Sequence, residues 1–206
     1  MNRIAAFRTA IVAMAALTLS ACGINSVPTK EEAAKAEWAN VQSAYQRRAD
    51  LIPNLVATVR SAAASEEDIL TQVIEARAQA TQTTIDADNL GDAQQFRQFE
   101  AAQNNLGGAL SRLMVVVERY PELQSQQRFA DLMVALEGTE NRIDNARTKY
   151  NEAVRDYNTT IRTFPDTIGA NIIHGAEPME TFQAEAGADQ AVDVDFGDMD
   201  PVNEAN

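Results

Sequence analysis

Hydrophobic residues recur at helical spacing along most of this chain. Ala34, Trp38, Val41, Tyr45, Ala49 and Ile52 step by three or four and mark one face of a helix. Thr29-Lys30-Glu31-Glu32 has the spacing of a capping box and opens that helix. Pro53 lacks a backbone donor, so a kink or break is expected there. Leu55, Val59, Ala62, Ile69, Val73 and Ala76 continue the stripe, with Glu66, Glu67 and Asp68 facing out. Thr83–Asp92 is rich in Asp, Asn and Gly and reads as a turn. A second helix starts near Asp92, with Gln95 at capping distance, and carries Phe99, Gln103, Leu106, Leu110, Leu113 and Val117 on one face. It is expected to stop near Arg119, because Tyr120 precedes Pro121. Gly107-Gly108 within it reads either as a close helix approach or as a soft spot, at about 1 kcal/mol per Gly against Ala.

The third stretch has the strictest pattern. Phe129, Leu136, Ile143, Tyr150, Tyr157 and Phe164 recur every seven residues, with Leu132, Thr139, Ala146, Ala153 and Thr160 three places after the first five. This repeat predicts a packing seam of coiled-coil type. At 1.5 Å per residue, Gln124–Phe164 makes a helix of about 60 Å. Such a helix needs long partners alongside, and the two earlier stretches supply them. The expected fold is all-α, an elongated antiparallel up-and-down bundle. Within the repeat, Tyr150-Asn151 and Tyr157-Asn158 form a smaller motif, read as polar contacts that set helix register. Glu140, Arg142 and Arg147 lie near the seam and suggest a semi-buried ion pair that fixes register.

The start of the chain differs in kind. Arg3 and Arg8 precede an uncharged run from Thr9 to Leu19, far short of the roughly 20 residues that span a bilayer but suited to an export signal. Leu19-Ser20-Ala21-Cys22 then resembles the bacterial lipobox. The resemblance implies that residues 1–21 are a signal peptide recognised through Leu19, Ser20 and Ala21, and that Cys22 takes a diacylglyceryl thioether. Two or three acyl chains hold a protein firmly, whereas one binds reversibly. Residues 22–28 are then a short lipidated tether. Gly23 in place of Asp leans toward the periplasmic face of the outer membrane over the outer side of the cytoplasmic membrane.

Composition narrows the function. The chain has 206 residues, one Cys, one His and a net charge of −13. Removing Arg3 and Arg8 with the signal takes the mature charge from −13 to −15. Such acidity repels phosphate backbones, so no nucleic-acid partner is expected. One Cys and one His leave little for metal or His-based chemistry, and no cofactor, metal or catalytic residue is implied. His174 is read as a surface or packing residue. Residues 163–206 hold ten Asp and Glu and no Lys or Arg, and 176–206 read as a largely disordered acidic tail. Asp193, Asp195 and Glu204 match three positions of a calcium loop, but Asp198 stands where that loop needs Gly. Val192, Val194 and Phe196 alternate with acids, as in a short strand that could dock on the bundle or a partner.

Three segments carry a family resemblance. Arg47 to Val56 (RRADLIPNLV), Glu118 to Leu123 (ERYPEL) and Leu136 to Ile143 (LEGTENRI) occur in the order of the LemA family of bacterial envelope proteins. Ala146-Arg147, Tyr150-Asn151, Val154, Tyr157-Asn158 and Phe164-Pro165 follow. The resemblance covers about residues 30–175, and 29–175 are expected to form the bundle. It implies a membrane-held antiparallel bundle and brings no catalytic residue. Family members usually begin with a transmembrane helix, where this chain has a lipobox. The combined reading is a lipid-anchored scaffold or adaptor of the cell envelope, attached to the membrane through Cys22 and serving an envelope protein partner. The alternative is a small-molecule or cation-binding protein using the acidic tail or a groove.

Overall fold

A computed structural model describes residues 25–183. Residues 1–24, with the expected signal peptide, the lipobox-like Leu19–Cys22 and Gly23, and residues 184–206, with the calcium-like loop and the alternating 192–196, lie outside the described residues. The described chain is helical, without strands: α1 (Ser26–Ala62), α2 (Glu67–Gln82), α3 (Ala93–Val117), the single turn α4 (Pro121–Gln124), α5 (Gln127–Arg162) and the short α6 (Asp166–Gly169). A 3-10 turn at Ala87–Asn89 precedes α3, and a π turn at Ala170–His174 follows α6.

The helices run up, down, up and down. Lys30 of α1 pairs with Asp156 of α5 at 3.2 Å, and Arg48, further up α1, pairs with the earlier residue Glu140 at 3.2 Å. The two longest helices are therefore antiparallel along their whole length, about 55 Å at 1.5 Å per residue. The shorter α2 covers only the upper half of this pair, while α3 begins in the lower half and runs to the upper end. In the upper half Ile52, Leu55, Val59, Leu70, Val73, Leu106, Leu113 and Leu123 form one core. In the lower half irregular chain stands in the place of α2. Ile85 and Leu90 from the α2–α3 connection and Phe182 from the C-terminal segment complete a second core around Trp38, Phe96, Phe99 and Tyr150.

Several boundaries differ from expectation, each for a local reason. Helix α1 begins at Ser26, not Thr29. Val27 is fully buried against Tyr157 and Ile161, which draws the start forward, and Thr29 donates its hydroxyl to the Asn25 carbonyl from within the first turn. Pro28 fits there because a first-turn amide has no intrahelical acceptor. At Pro53 α1 does not break but continues to Ala62. Proline removes the donor for the carbonyl four residues earlier, that of Ala49, and the Nε of Arg77 on α2 donates to that oxygen at 2.7 Å instead. The break falls at 63–66, so the first stretch makes two helices. Asp92 caps α3 as expected, accepting from the Gln94 and Gln95 amides while the Gln95 side chain returns a bond. Gly107 and Gly108 meet nothing within 4 Å where a side chain would begin, which removes the close-approach reading.

On α5, Phe129, Leu136, Ile143, Tyr150 and Tyr157 are buried. Phe164 is not part of the seam: α5 ends at Arg162, and Phe164 is 78% exposed. Ile161 fills the last buried position instead.

Candidate functional site

Two polar assemblies and several open clefts contain the chemistry of the described residues. The first assembly is centred on Arg48, which is buried on α1. Its Nη1 donates to Glu140 on α5 at 3.2 Å, and its Nη2 donates to the Gln103 side-chain oxygen on α3 at 2.8 Å. Gln103 passes the connection on, donating from its amide to the Ala80 carbonyl at the end of α2. The guanidinium also lies over the Tyr45 ring, 5.1 Å from its centroid. One arginine thus ties all four main helices at mid-height. The ion pair expected among Glu140, Arg142 and Arg147 therefore uses Glu140 but takes Arg48 as its cation. Arg142 is exposed, and Arg147 lies over the Phe182 ring at 4.6 Å.

The second assembly explains the Tyr-Asn repeat. The segment after Gly175 runs back up along α5 in extended form, antiparallel to it. Tyr157 and Tyr150 donate their hydroxyls to the carbonyls of Glu177 and Glu180. Asn158 both donates to the Met179 carbonyl and accepts from its amide, each at 2.9 Å. Asn151 does the same with Phe182, again at 2.9 Å. Two turns of helix thus present two identical clamps to an extended backbone. The repeat sets the register of this strap and not of neighbouring helices, and the expected boundary after Gly175 falls at the start of a packed segment. Gly175 turns the chain at φ 56, a conformation that favours Gly. On the other side the Glu180 amide donates to the Leu90 carbonyl at 2.9 Å. A Cβ on Gly91 would stand 3.0 Å from the Pro178 oxygen, so the lack of a side chain permits this approach. Phe182 then packs on Trp38, Phe96 and Tyr150 at centroid distances of 4.9 to 6.1 Å. Burial pushes the phenol of Tyr150 well above its ordinary pKa, and those of Tyr45 and Tyr157 upward as well.

The clefts are shallow. One of about 380 Å³ includes Glu31, Lys35, Asp88, Tyr157 and His174. Lys35 is held between Asp88 at 2.7 Å and Glu31 at 2.9 Å, and these bonds raise its pKa. A lysine so held stays protonated and has no lone pair to offer as a nucleophile. Another, of about 620 Å³, has Leu110, Met114, Met133 and Leu136 on its walls and Arg48 and Glu140 at its edge. Among the described residues no three His, Cys, Asp or Glu side chains gather into a metal-holding group.

The motifs that suggested the family now have places in this framework, and the sequence profile of the LemA family matches residues 37–196. This chain belongs to the LemA family. Magnetosome proteins MamQ 2 and MamQ 1 of Paramagnetospirillum magneticum are each 29% identical to it over 199 residues, covering 88% of this chain and 73% of each relative. Magnetosome protein MamQ of Magnetospirillum gryphiswaldense is 28% identical over 184 residues, 82% of this chain and 67% of the relative. In the LemA segment from Arg47 to Val56, Arg48 ties the helices, and the Ala49 carbonyl, which Pro53 leaves without a helical donor, accepts from Arg77. In the segment from Glu118 to Leu123, Arg119 and Tyr120 both bond Glu66, closing the upper end of the bundle. In the segment from Leu136 to Ile143, Glu140 meets Arg48, and the buried Thr139 hydroxyl donates to the Ala135 carbonyl. Sequence reasoning placed Gln103 on the apolar face of its helix but not its polar role, and it missed Arg48, Arg77 and Phe182. Arg48 also falls on the apolar face of its helix, which is the signal that could have marked it. The extended strap around Phe182 has no periodicity to read.

Proposed function

We propose that this protein is a lipid-anchored, non-catalytic helical scaffold or adaptor of the bacterial cell envelope. The observation that carries the reading is the use to which the family's polar residues are put. Arg48, Glu140, Tyr120, Tyr150, Asn151, Tyr157 and Asn158 are all engaged in holding helices or the strap, so the chemistry of these motifs is that of a rod. The Leu19-Ser20-Ala21-Cys22 sequence supplies the anchor, and its diacylglyceryl thioether holds one end of the rod at the membrane. Magnetosome proteins among the relatives are in keeping with work at a membrane-bound compartment.

Cys22→Ala tests the anchor: the expected variant lacks the lipid mass and leaves the membrane fraction. Retention there with normal processing overturns the anchor. Photo-crosslinkers placed at exposed Val115 and Val134, near the upper end, test the adaptor role. A discrete adduct with one envelope protein is expected, and absence of any adduct in intact cells overturns that role.

A further inference from the structure

The lower end of the rod exposes a group of large apolar side chains. Phe164 is 78%, Ile168 53%, Ile172 79% and Ile173 57% exposed. They belong to the turn that closes α5, to α6 and to the π turn. Ile168 stands four residues before Ile172 and five before Ile173, the two spacings that bring side chains to one face across an α-to-π transition. The opposite face, Gly169 and Ala170, is buried against the bundle. The four side chains expose apolar area on the order of several hundred Å², the size at which a patch marks an interaction site.

The path of the chain identifies what covers this patch. Ser26, the first residue of α1, hydrogen-bonds Asp166, the first residue of α6. Three residues separate Ser26 from Cys22, and the four steps between them reach at most about 14 Å. Any acyl chain on Cys22 therefore enters the bilayer within one tether length of the patch. Beside the patch Lys30 pairs with Asp156, and the Asp166 carboxylate accepts from the Ser26 hydroxyl. Arg162, in the last turn of α5, leaves a cation at this end. The geometry points to a lipid surface as the partner: Phe164, Ile168, Ile172 and Ile173 seat in the interface of the same bilayer that holds Cys22, so the rod stands on the membrane by its end. Exposed apolar side chains beside a lipid anchor add the second contact that turns a flexible leash into an oriented attachment. This inference rests on the lipid-anchor reading above.

The test uses the full chain carrying Ile172→Cys or, as a control at the upper end, Val134→Cys. Each is labelled with a thiol-reactive nitrobenzoxadiazole and reconstituted in phosphatidylcholine–phosphatidylglycerol vesicles, with and without doxyl-labelled acyl chains. Both positions are exposed, so neither substitution disturbs packing. The expected result is a blue-shifted Ile172 probe quenched several-fold more strongly than the Val134 probe. Adding Phe164→Ser, Ile168→Ser and Ile173→Ser should lift that quenching. Equal quenching at the two positions overturns the seating. A blue shift without doxyl quenching also overturns it, since a second copy or another protein then covers the patch. The unsubstituted chain separates the two readings. If it reacts with the thiol reagent, Cys22 carries no lipid and the anchor reading fails. The same two probes on a Cys22→Ser background then decide the seating by themselves.

Discussion

Pro53 and Arg77 show at the residue scale how a sequence rule fails for a physical reason. A proline inside a helix costs about 3 kcal/mol, part of it because one carbonyl loses its donor. Here Arg77 supplies the donor from another helix at 2.7 Å. Arg77→Ala is expected to cost about 1–2 kcal/mol in urea unfolding, and clearly less on a Pro53→Ala background, where the amide is restored. Equal costs on both backgrounds would refute the coupling. The buried phenols supply a second prediction at this scale. Burial raises the folded pKa of Tyr45, Tyr150 and Tyr157 above the unfolded value of about 10. Their contribution is complete below about pH 10 and is lost as the pH rises through the folded values. Melting temperature should therefore fall steeply above that pH, and tyrosinate absorbance should appear together with unfolding. Early ionisation of Tyr45, Tyr150 and Tyr157 in the folded chain would contradict this. The burial of these tyrosines follows from their places on the apolar faces, whereas the bond from Arg77 to the Ala49 carbonyl was not legible, because no spacing along the chain reports it.

At the scale of elements, what could be read and what could not divide along one line. Helices with an apolar stripe were visible from periodicity, as was the Asp92 cap, because both are local. The heptad residues from Phe129 to Tyr157 are buried, while Phe164 keeps the spacing but lies beyond the end of α5. A repeat reports where a helix could pack, and the turn at 163–165 decides where it stops. The strap from Ala176 to Phe182 was read as disordered acid-rich tail. Its backbone is held by the side chains of Tyr150, Asn151, Tyr157 and Asn158, so its own sequence needs no pattern. Trp38, the one tryptophan, reports on it directly, since its ring stacks 6.1 Å from that of Phe182. Phe182→Ala should cost about 3 kcal/mol and shift Trp38 emission to longer wavelength. Unchanged emission would mean that the strap does not cover the tryptophan in solution.

The whole molecule is a rod with two differently built halves. The upper half is a four-helix core. The lower half is α1, α5 and the first turns of α3, closed by the α2–α3 connection and the strap. Removing both clamps by Asn151→Ala with Asn158→Ala should speed amide hydrogen exchange in 27–45 and 150–161, and leave 52–59 and 106–117 near their original rates. A uniform loss of protection would show that the halves unfold as one. This division was hidden in the sequence, where Thr29–Gln82 read as a single partner for α5 and its interruption was assigned to Pro53.

The proline also has a consequence for how the chain avoids folding wrongly. Long amphipathic helices with near-repeating stripes can slide past one another by a turn at little cost to apolar contact. A slip of α2 along α1 carries Arg77 about 5 Å from the Ala49 carbonyl and leaves that oxygen bare inside the bundle. The defect that Pro53 creates is thus repaired in one alignment only. A helix breaker placed mid-rod serves as an alignment key, discriminating against shifted bundles that hydrophobic pattern alone would accept.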